Sequence, residues 1–289
     1  MSGYKTIDVY EMVTNRIILE LEKGNIPWLK PWYVSNSYGA YSGETGKTYS
    51  LLNQMLLGKE GEYLTIKQIN ERGGRVIKGE KANIIVFWKL FDNKEVDSNN
   101  KEVTKTIPYL KYYNVFHIDQ CTNIEAKYHK DIKVLNDIEP IEQAEQIKIK
   151  YMQQENIDIK ECYSNNAFYD IKNDYIQIPI INQYDNANEF YSTLFHEMVH
   201  STGHKDRLNR FDDKTTITAY RGTNYSKEEL VAELGTSYIL HQIGIETPKT
   251  FTNSVAYIQS WLKQLKNDKK FIISAASKAE KAIHYILEK

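Results

Sequence analysis

Two cysteines in 289 residues are too few for a disulfide framework or a cysteine-built zinc finger, and Cys121 and Cys162 fit a reducing compartment. No run of about 18 apolar residues exists, so no membrane span is expected. The stretch from Met1 to Glu11 holds acids and no apolar run, which excludes a secretory signal there. Charge of one sign is lacking as well: 37 Lys and Arg face 38 Asp and Glu, a net of −1. A global basic field for nucleic acid is therefore excluded, and any such contact must come from a local patch and from stacking. Internal repeats and low-complexity tracts are absent too. These absences, with 41% hydrophobic residues to build cores, predict a soluble cytoplasmic chain with no membrane partner.

What is present centres on His196-Glu197-Met198-Val199-His200. Residues four apart on a helix lie one above the other, so the two imidazoles can grip one metal ion. Glu197 lies about 100° round from His196, within reach of a water in the metal's open position. This is the HExxH spacing of zinc peptidases, with the glutamate as general base. Tyr191, Leu194, Phe195, Met198 and Val199 give the helix an apolar flank, which turns the histidines inward. Two histidines falling by accident on one helix would need no such flank. The expected cofactor is a single Zn2+, or another divalent ion.

A catalytic zinc commonly takes three protein ligands. Extending the motif gives H-E-x-x-H-x-x-G-x-x-D, with Gly203 as the turn and Asp206 as a ligand, and His204 is a further candidate. The segment "KDRLNR" reads as an ordinary charged loop. The segment "EELVAELG", from Glu228, places Glu229 and Glu233 four apart on another helix. It resembles the acidic helix of the gluzincins, in which the first acid binds metal and the second hydrogen-bonds a ligand histidine, fixing its tautomer. Ala232, Gly235 and Thr236 are small and allow close approach to the HExxH helix. The bland alternative is a capping box, Ser226 with Glu229. A helix presents a ligand more rigidly than a loop, which favours Glu229 as ligand and Glu233 behind it, with Glu233 and Asp206 as alternatives for the third position.

The chain divides into an α+β pair: residues 1–125, a linker over 126–139, and residues 140–289. The first part has an amphipathic helix over 6–23, a loop-like stretch over 35–50, a helix over 66–71, and β runs over 82–90 and 109–118 joined by a long polar connection. The second has a helix over 141–155, a hairpin turning at Lys172-Asn173, the metal helix over 186–203, and helices near 226–243, 250–266 and 269–288. The strand from Tyr175 to Ile180 is expected to hold an extended peptide by edge pairing. Tyr225 and His204 are the candidates for a donor to the developing oxyanion.

The first part sets aromatics beside cations: Trp28 and Trp32 flank Lys30, Tyr38, Tyr41 and Tyr49 flank Lys47, and Lys67, Arg72, Arg75, Lys78 and Lys81 form a basic stretch. Unpaired bases stack on rings while cations follow phosphates, which suits a single strand better than a duplex. Buried core packing is the competing explanation for the aromatics, and Phe87 and Trp88 in a β run are expected to be core.

The order of these pieces adds to the reading. "YEMVTNRIILELEKGNIPWLKPW", "GKTYSLLNQMLL", "YLTIKQINERGGRVIKGEKANIIVFW" and "LKYYNVFHIDQC" resemble the N-terminal domain of the ArdC family of antirestriction proteins, which also occurs in some plasmid primases. "FYSTLFHEMVHSTGHKDRLNR" and "YSKEELVAELGTSYI" are similar to the zincin-type metallopeptidase domain that accompanies it. The segment over 220–226 departs from the family's usual pattern. The resemblance implies a single-stranded-DNA-binding domain followed by a zincin domain, carried on mobile elements and shielding incoming DNA from host restriction during conjugation. It also implies His196 and His200 as the metal pair, Glu197 as base, and the acidic helix from Glu229 to Glu233. Two functions follow: a coating protein whose partner is single-stranded DNA, or a protease with a protein substrate. A nuclease is a third and weaker class, because HExxH is poorly suited to holding two metals.

Overall fold

The computed structural model describes residues 8–24, 26–28, 39–96, 102–128, 140–211, 223–245 and 261–288. Helix α1 (Val9–Glu22) starts at Asp8, whose carboxylate accepts from the Tyr10 and Glu11 amides. It turns Val13, Ile17, Ile18 and Leu21 to the core. Four strands follow with two short helices among them: β1 (Ala40–Ser42), α2 (Leu51–Leu57), β2 (Gly61–Leu64), α3 (Ile66–Glu71), β4 (Asn83–Val96) and β5 (Glu102–His117). The sheet order is β1-β2-β5-β4, with β1 parallel to β2 and the other pairs antiparallel. Strands β3 (Arg75–Val76) and β6 (Cys121–Thr122) pair separately.

Helix α2 has no amphipathic period, and all seven of its residues are buried. Its two polar members act as strand surrogates. Asn53 donates to the Val86 carbonyl at 2.9 Å and accepts from the Val86 amide at 2.8 Å. Gln54 does the same for Ala40, at 2.9 and 2.8 Å. Burial without these bonds would cost each amide about 1–3 kcal/mol. The β4–β5 ladder also runs further than the apolar pattern predicts. Pairing continues from Asp92↔Thr106 to Val96↔Glu102, so most of the expected polar connection is strand.

Further along come α4 (Pro140–Glu155), β7 (Asp158–Cys162), β8 (Phe168–Asp170), β9 (Tyr175–Pro179), α5 (Ala187–Ser201), α6 (Thr223–Gln242), α7 (residues 261–267) and α8 (Phe271–Leu287). The second sheet runs β7-β9-β8. Strand β9 is therefore central, and the expectation that it offers an edge to a peptide is wrong. Both of its sides are taken, by β7 in parallel and β8 antiparallel. Strand β7 escaped the sequence reading because its alternation is weak, with two of five positions apolar.

One apolar core spans both parts. Val13, Leu52, Met55 and Leu110 share a cluster with Phe195, Val199, Leu230, Ile272 and Ala276. Trp28 lies at the junction, 1% exposed, edge-on to Trp261 of α7 at 5.6 Å. Its carbonyl accepts from Ser237 of α6, and Thr14 of α1 donates to the Lys269 carbonyl at 2.7 Å. Residues 129–139 of the expected linker lie outside the described residues. Truncating Trp28 removes a ring from the centre of this junction, so Trp28→Ala is expected to cost about 3–5 kcal/mol. Denaturant unfolding with a single transition checks it, and a loss below about 1 kcal/mol would mean the junction contributes little.

Candidate metal centre

Helix α5 is capped by Asn186, whose side chain accepts from the Glu189 amide at 3.1 Å. Its buried flank includes Phe190, Leu194, Phe195, Met198 and Val199, which fixes the rotation of the helix and the direction of its histidines. His196 Nε2 and His200 Nε2 stand 3.1 Å apart. Helix α6 crosses close by: a Cβ on Gly235 would meet Val199 Cγ2 at 2.8 Å, so only glycine allows this approach. The sequence expectation of a small-residue contact holds here. The approach brings Glu229 Oε2 within 3.5 Å of His196 Nε2 and Glu229 Oε1 within 3.3 Å of His200 Nε2. One ligand atom each from His196, His200 and Glu229 lies within 4.8 Å of the others, the arrangement of a metal site.

The electrostatics of the pocket fit a cation. Burial alone would lower the His200 pKa, but contacts with Glu228 and Glu229 push it up to about 10, and His196 is raised in the same direction by Glu229. Burial raises Glu229, yet the two histidines outweigh it and hold the carboxyl well below its usual range. Glu233 goes the other way, pushed up to about 7 by burial and by the charge of Glu229. Two imidazoles facing acids on every side need positive charge, and a divalent ion supplies it without protons.

Glu233, expected behind the histidines, is buried, and its Oε2 has no hydrogen-bond partner among the described residues. Glu228 places Oε1 3.6 Å from His200 Nδ1. Arg210 holds Glu228 at 2.6 Å and also donates to the Val199 carbonyl at 2.7 Å and Thr202 Oγ1 at 2.6 Å. Arg207 donates to the Ser201 carbonyl at 2.7 Å and pairs with Asp174 in the β8–β9 turn. The segment "KDRLNR" is thus no ordinary charged loop: both guanidiniums are buried and tie down the end of α5. Two buried arginines carry no signal in a single sequence, because nothing in the pattern separates them from solvated ones.

Glu197 is buried beside the ligand pair, and its charge acts on both histidines. It acts on Tyr184 too, a residue the sequence reading did not single out; burial raises that hydroxyl and Glu197 adds to the rise. Asp206 is exposed and faces His204 at 3.5 Å, outside the ligand group. Of the two oxyanion candidates, His204 is engaged with Asp206, and Tyr225 lies one turn before Glu229 on α6. Gly203 makes room for the Phe211 ring, which a Cβ would meet at 2.5 Å.

Candidate nucleic-acid residues separate into distinct groups. Trp28 is core and has no ring face free for a base. Arg72 is committed to the buried carboxylate of Glu62 at 2.6 Å. Tyr49 is half-buried against Phe87, whereas Lys47, Lys67, Arg75, Lys78 and Lys81 are exposed, with Lys67 facing Glu71 at 3.6 Å. Lys30 and Trp32 lie outside the described residues. Phe87 and Trp88, expected as core, are instead 44% and 51% exposed.

Residues 143–278 match a family described as zincin-like metallopeptidase, and residues 7–116 match the N-terminal domain of anti-restriction factor ArdC. Among curated proteins, two DNA primases TraC of Escherichia coli are 28% and 29% identical over 96% of this chain, which spans only 20% and 27% of their lengths. The uncharacterized protein y4eC of Sinorhizobium fredii is 28% identical over 94% of this chain and 89% of its own. Crystal structures of the antirestriction ArdC protein from plasmid R388 are 32% identical over 98% of this chain. The metal-free form has a TM-score of 0.76 over 97% of its length, and the Mn(II)-bound form 0.74 over 98%.

His196→Ala, His200→Ala and Glu229→Ala are each expected to lose most of the bound metal, while Asp206→Ala and Glu197→Ala keep it, as read by elemental analysis of dialysed protein. Glu228→Gln and Arg210→Met should weaken metal binding by about 10- to 100-fold through loss of imidazole orientation. Because the ion must displace protons that the histidines hold, up to about pH 10 in the case of His200, apparent affinity should keep rising with pH from about 6 toward 10, and calorimetry should detect proton release. An affinity independent of pH would contradict the acidic surroundings described for the pair.

Proposed function

The chain belongs to the ArdC antirestriction family and carries a zincin-like metallopeptidase domain, and from this we propose that it protects DNA by coating single strands. The division of labour falls between residues 1–125, which bind the strand, and residues 140–289, which hold one metal ion, with zinc as the natural occupant and manganese as the alternative suggested by the R388 protein. Restriction enzymes read duplex sites, so a chain that keeps entering DNA single-stranded and covered withholds their substrate.

The observation that favours coating over proteolysis is the sheet beside α5. Strand β9 is internal, and the antiparallel edge next to it, β8, offers three residues. That is a short ladder for gripping an extended peptide.

A second reading is supported by Glu197, which is the residue a hydrolase needs at this place. A divalent ion held by His196, His200 and Glu229 would act as a Lewis acid toward a scissile carbonyl. Glu197 would take the proton of the attacking water and deliver it to the leaving nitrogen. Glu228 and Arg210 would keep His200 oriented throughout. The protein substrate would then be a host or DNA-bound protein, with residues 1–125 as the targeting part.

Antirestriction measured for wild type and Glu197→Ala, with metal content and DNA affinity checked in both, separates the readings. Coating predicts protection within about twofold of wild type, since occupancy needs no turnover. Loss of protection with metal and affinity intact would hand the function to proteolysis.

A further inference from the structure

We propose that one face of the β4–β5 ribbon, carrying Phe87, Lys89, Tyr109 and Lys111, is the platform on which single-stranded DNA stacks. The inference rests on the coating reading and specifies where the strand lies. The register sets Phe87 opposite Lys111 and Lys89 opposite Tyr109. Alternate residues of a strand share a face, so these four form a checkerboard in which each ring faces a cation across the ladder. Phe87 and Tyr109 are 44% and 43% exposed, and both lysines are exposed.

The face is built, not incidental. Its inner end is a small core of Ala40, Leu57, Tyr63, Ile85 and Val115. From that core a run of rings leads outward, Tyr49 to Phe87 at 6.3 Å and Phe87 to Tyr113 at 6.0 Å. Lys111 lies over the Tyr113 ring at 5.3 Å. Among the described residues no carboxylate pairs with Lys89 or Lys111. An apolar protein partner would have to desolvate these two lysines without compensation. Duplex DNA would satisfy them but hides its base faces from the rings. A single strand offers both parts, flat bases for Phe87 and Tyr109 and phosphates for the lysines. The opposite face is unsuitable, because Trp88 there is held edge-on by Tyr10 of α1 at 6.1 Å. None of these four residues stood among the candidates drawn from composition, which had assigned Phe87 to the core.

The test is fluorescence anisotropy of the full chain with a labelled oligo(dT) of about 15 nucleotides, within the range one such domain covers. Phe87→Ala with Tyr109→Ala should weaken binding by about tenfold or more, and Tyr109→Phe, which keeps the ring, should not. Lys89→Gln with Lys111→Gln should lower the slope of log K against log salt by about 1.4, roughly 0.7 for each phosphate no longer neutralised. Trp88→Leu on the far face should bind as wild type. Photocrosslinking with iododeoxyuridine in the oligonucleotide should mark Phe87, Tyr109 or Tyr113, and this holds even if the double alanine variant folds poorly. Wild-type affinity in both the ring and lysine variants, or crosslinks confined to the Trp88 side, would overturn the placement while leaving the coating reading intact. If the wild-type chain failed to bind the oligonucleotide at all, both would fall.

Discussion

The contact between Val199 and the bare backbone of Gly235 sets how near α6 lies to α5, and with it the place of Glu229. A carboxylate at the 3.3–3.5 Å found here must be delivered by backbone geometry, because a long side chain free to swing would lose that precision to rotamer entropy. The apolar flank of α5 fixes one partner of the pair, and the wholly buried stretch Leu230–Leu234 fixes the other. The metal centre is thus a by-product of core packing, with stability and ligand geometry resting on the same side chains.

Around that packing lies a graded electrostatic shell. Glu229 faces both histidines, Glu228 backs one of them, and Arg210 neutralises Glu228 while donating to the Val199 carbonyl near the end of α5. An arginine at a helix C-terminus interacts favourably with the dipole, and here it also keeps a buried acid from drifting. Glu233, with one unpartnered oxygen, has its pKa raised by burial and by the charge of Glu229.

How much of this could be read in advance follows the physics of each signal. The HExxH helix and the acidic helix were legible because side-chain chemistry at a fixed helical spacing survives without knowledge of the fold. Glu229 stood out for the same reason, and the small residues of α6 announced the close approach. Helix α2 was not legible, since a helix buried on every side has no period to show. Strand β7, the central place of β9, and the burial of Arg207 and Arg210 are facts of tertiary pairing, on which composition is silent. Trp28 is buried where a free ring was expected and Phe87 is exposed where core was expected, because burial of a lone aromatic depends on what the chain brings to it from far away, as Trp261 is brought to Trp28.

Asn53 and Gln54 have an effect beyond filling their own hydrogen bonds. One bonds both backbone groups of Val86 on β4 and the other both backbone groups of Ala40 on β1, so a single dipeptide occupies one position on each outer strand of the four-stranded sheet. An uncovered edge is a template on which another chain can add a strand. At Val86 and Ala40 those backbone groups are already taken, so a further strand from another chain finds no donor or acceptor there.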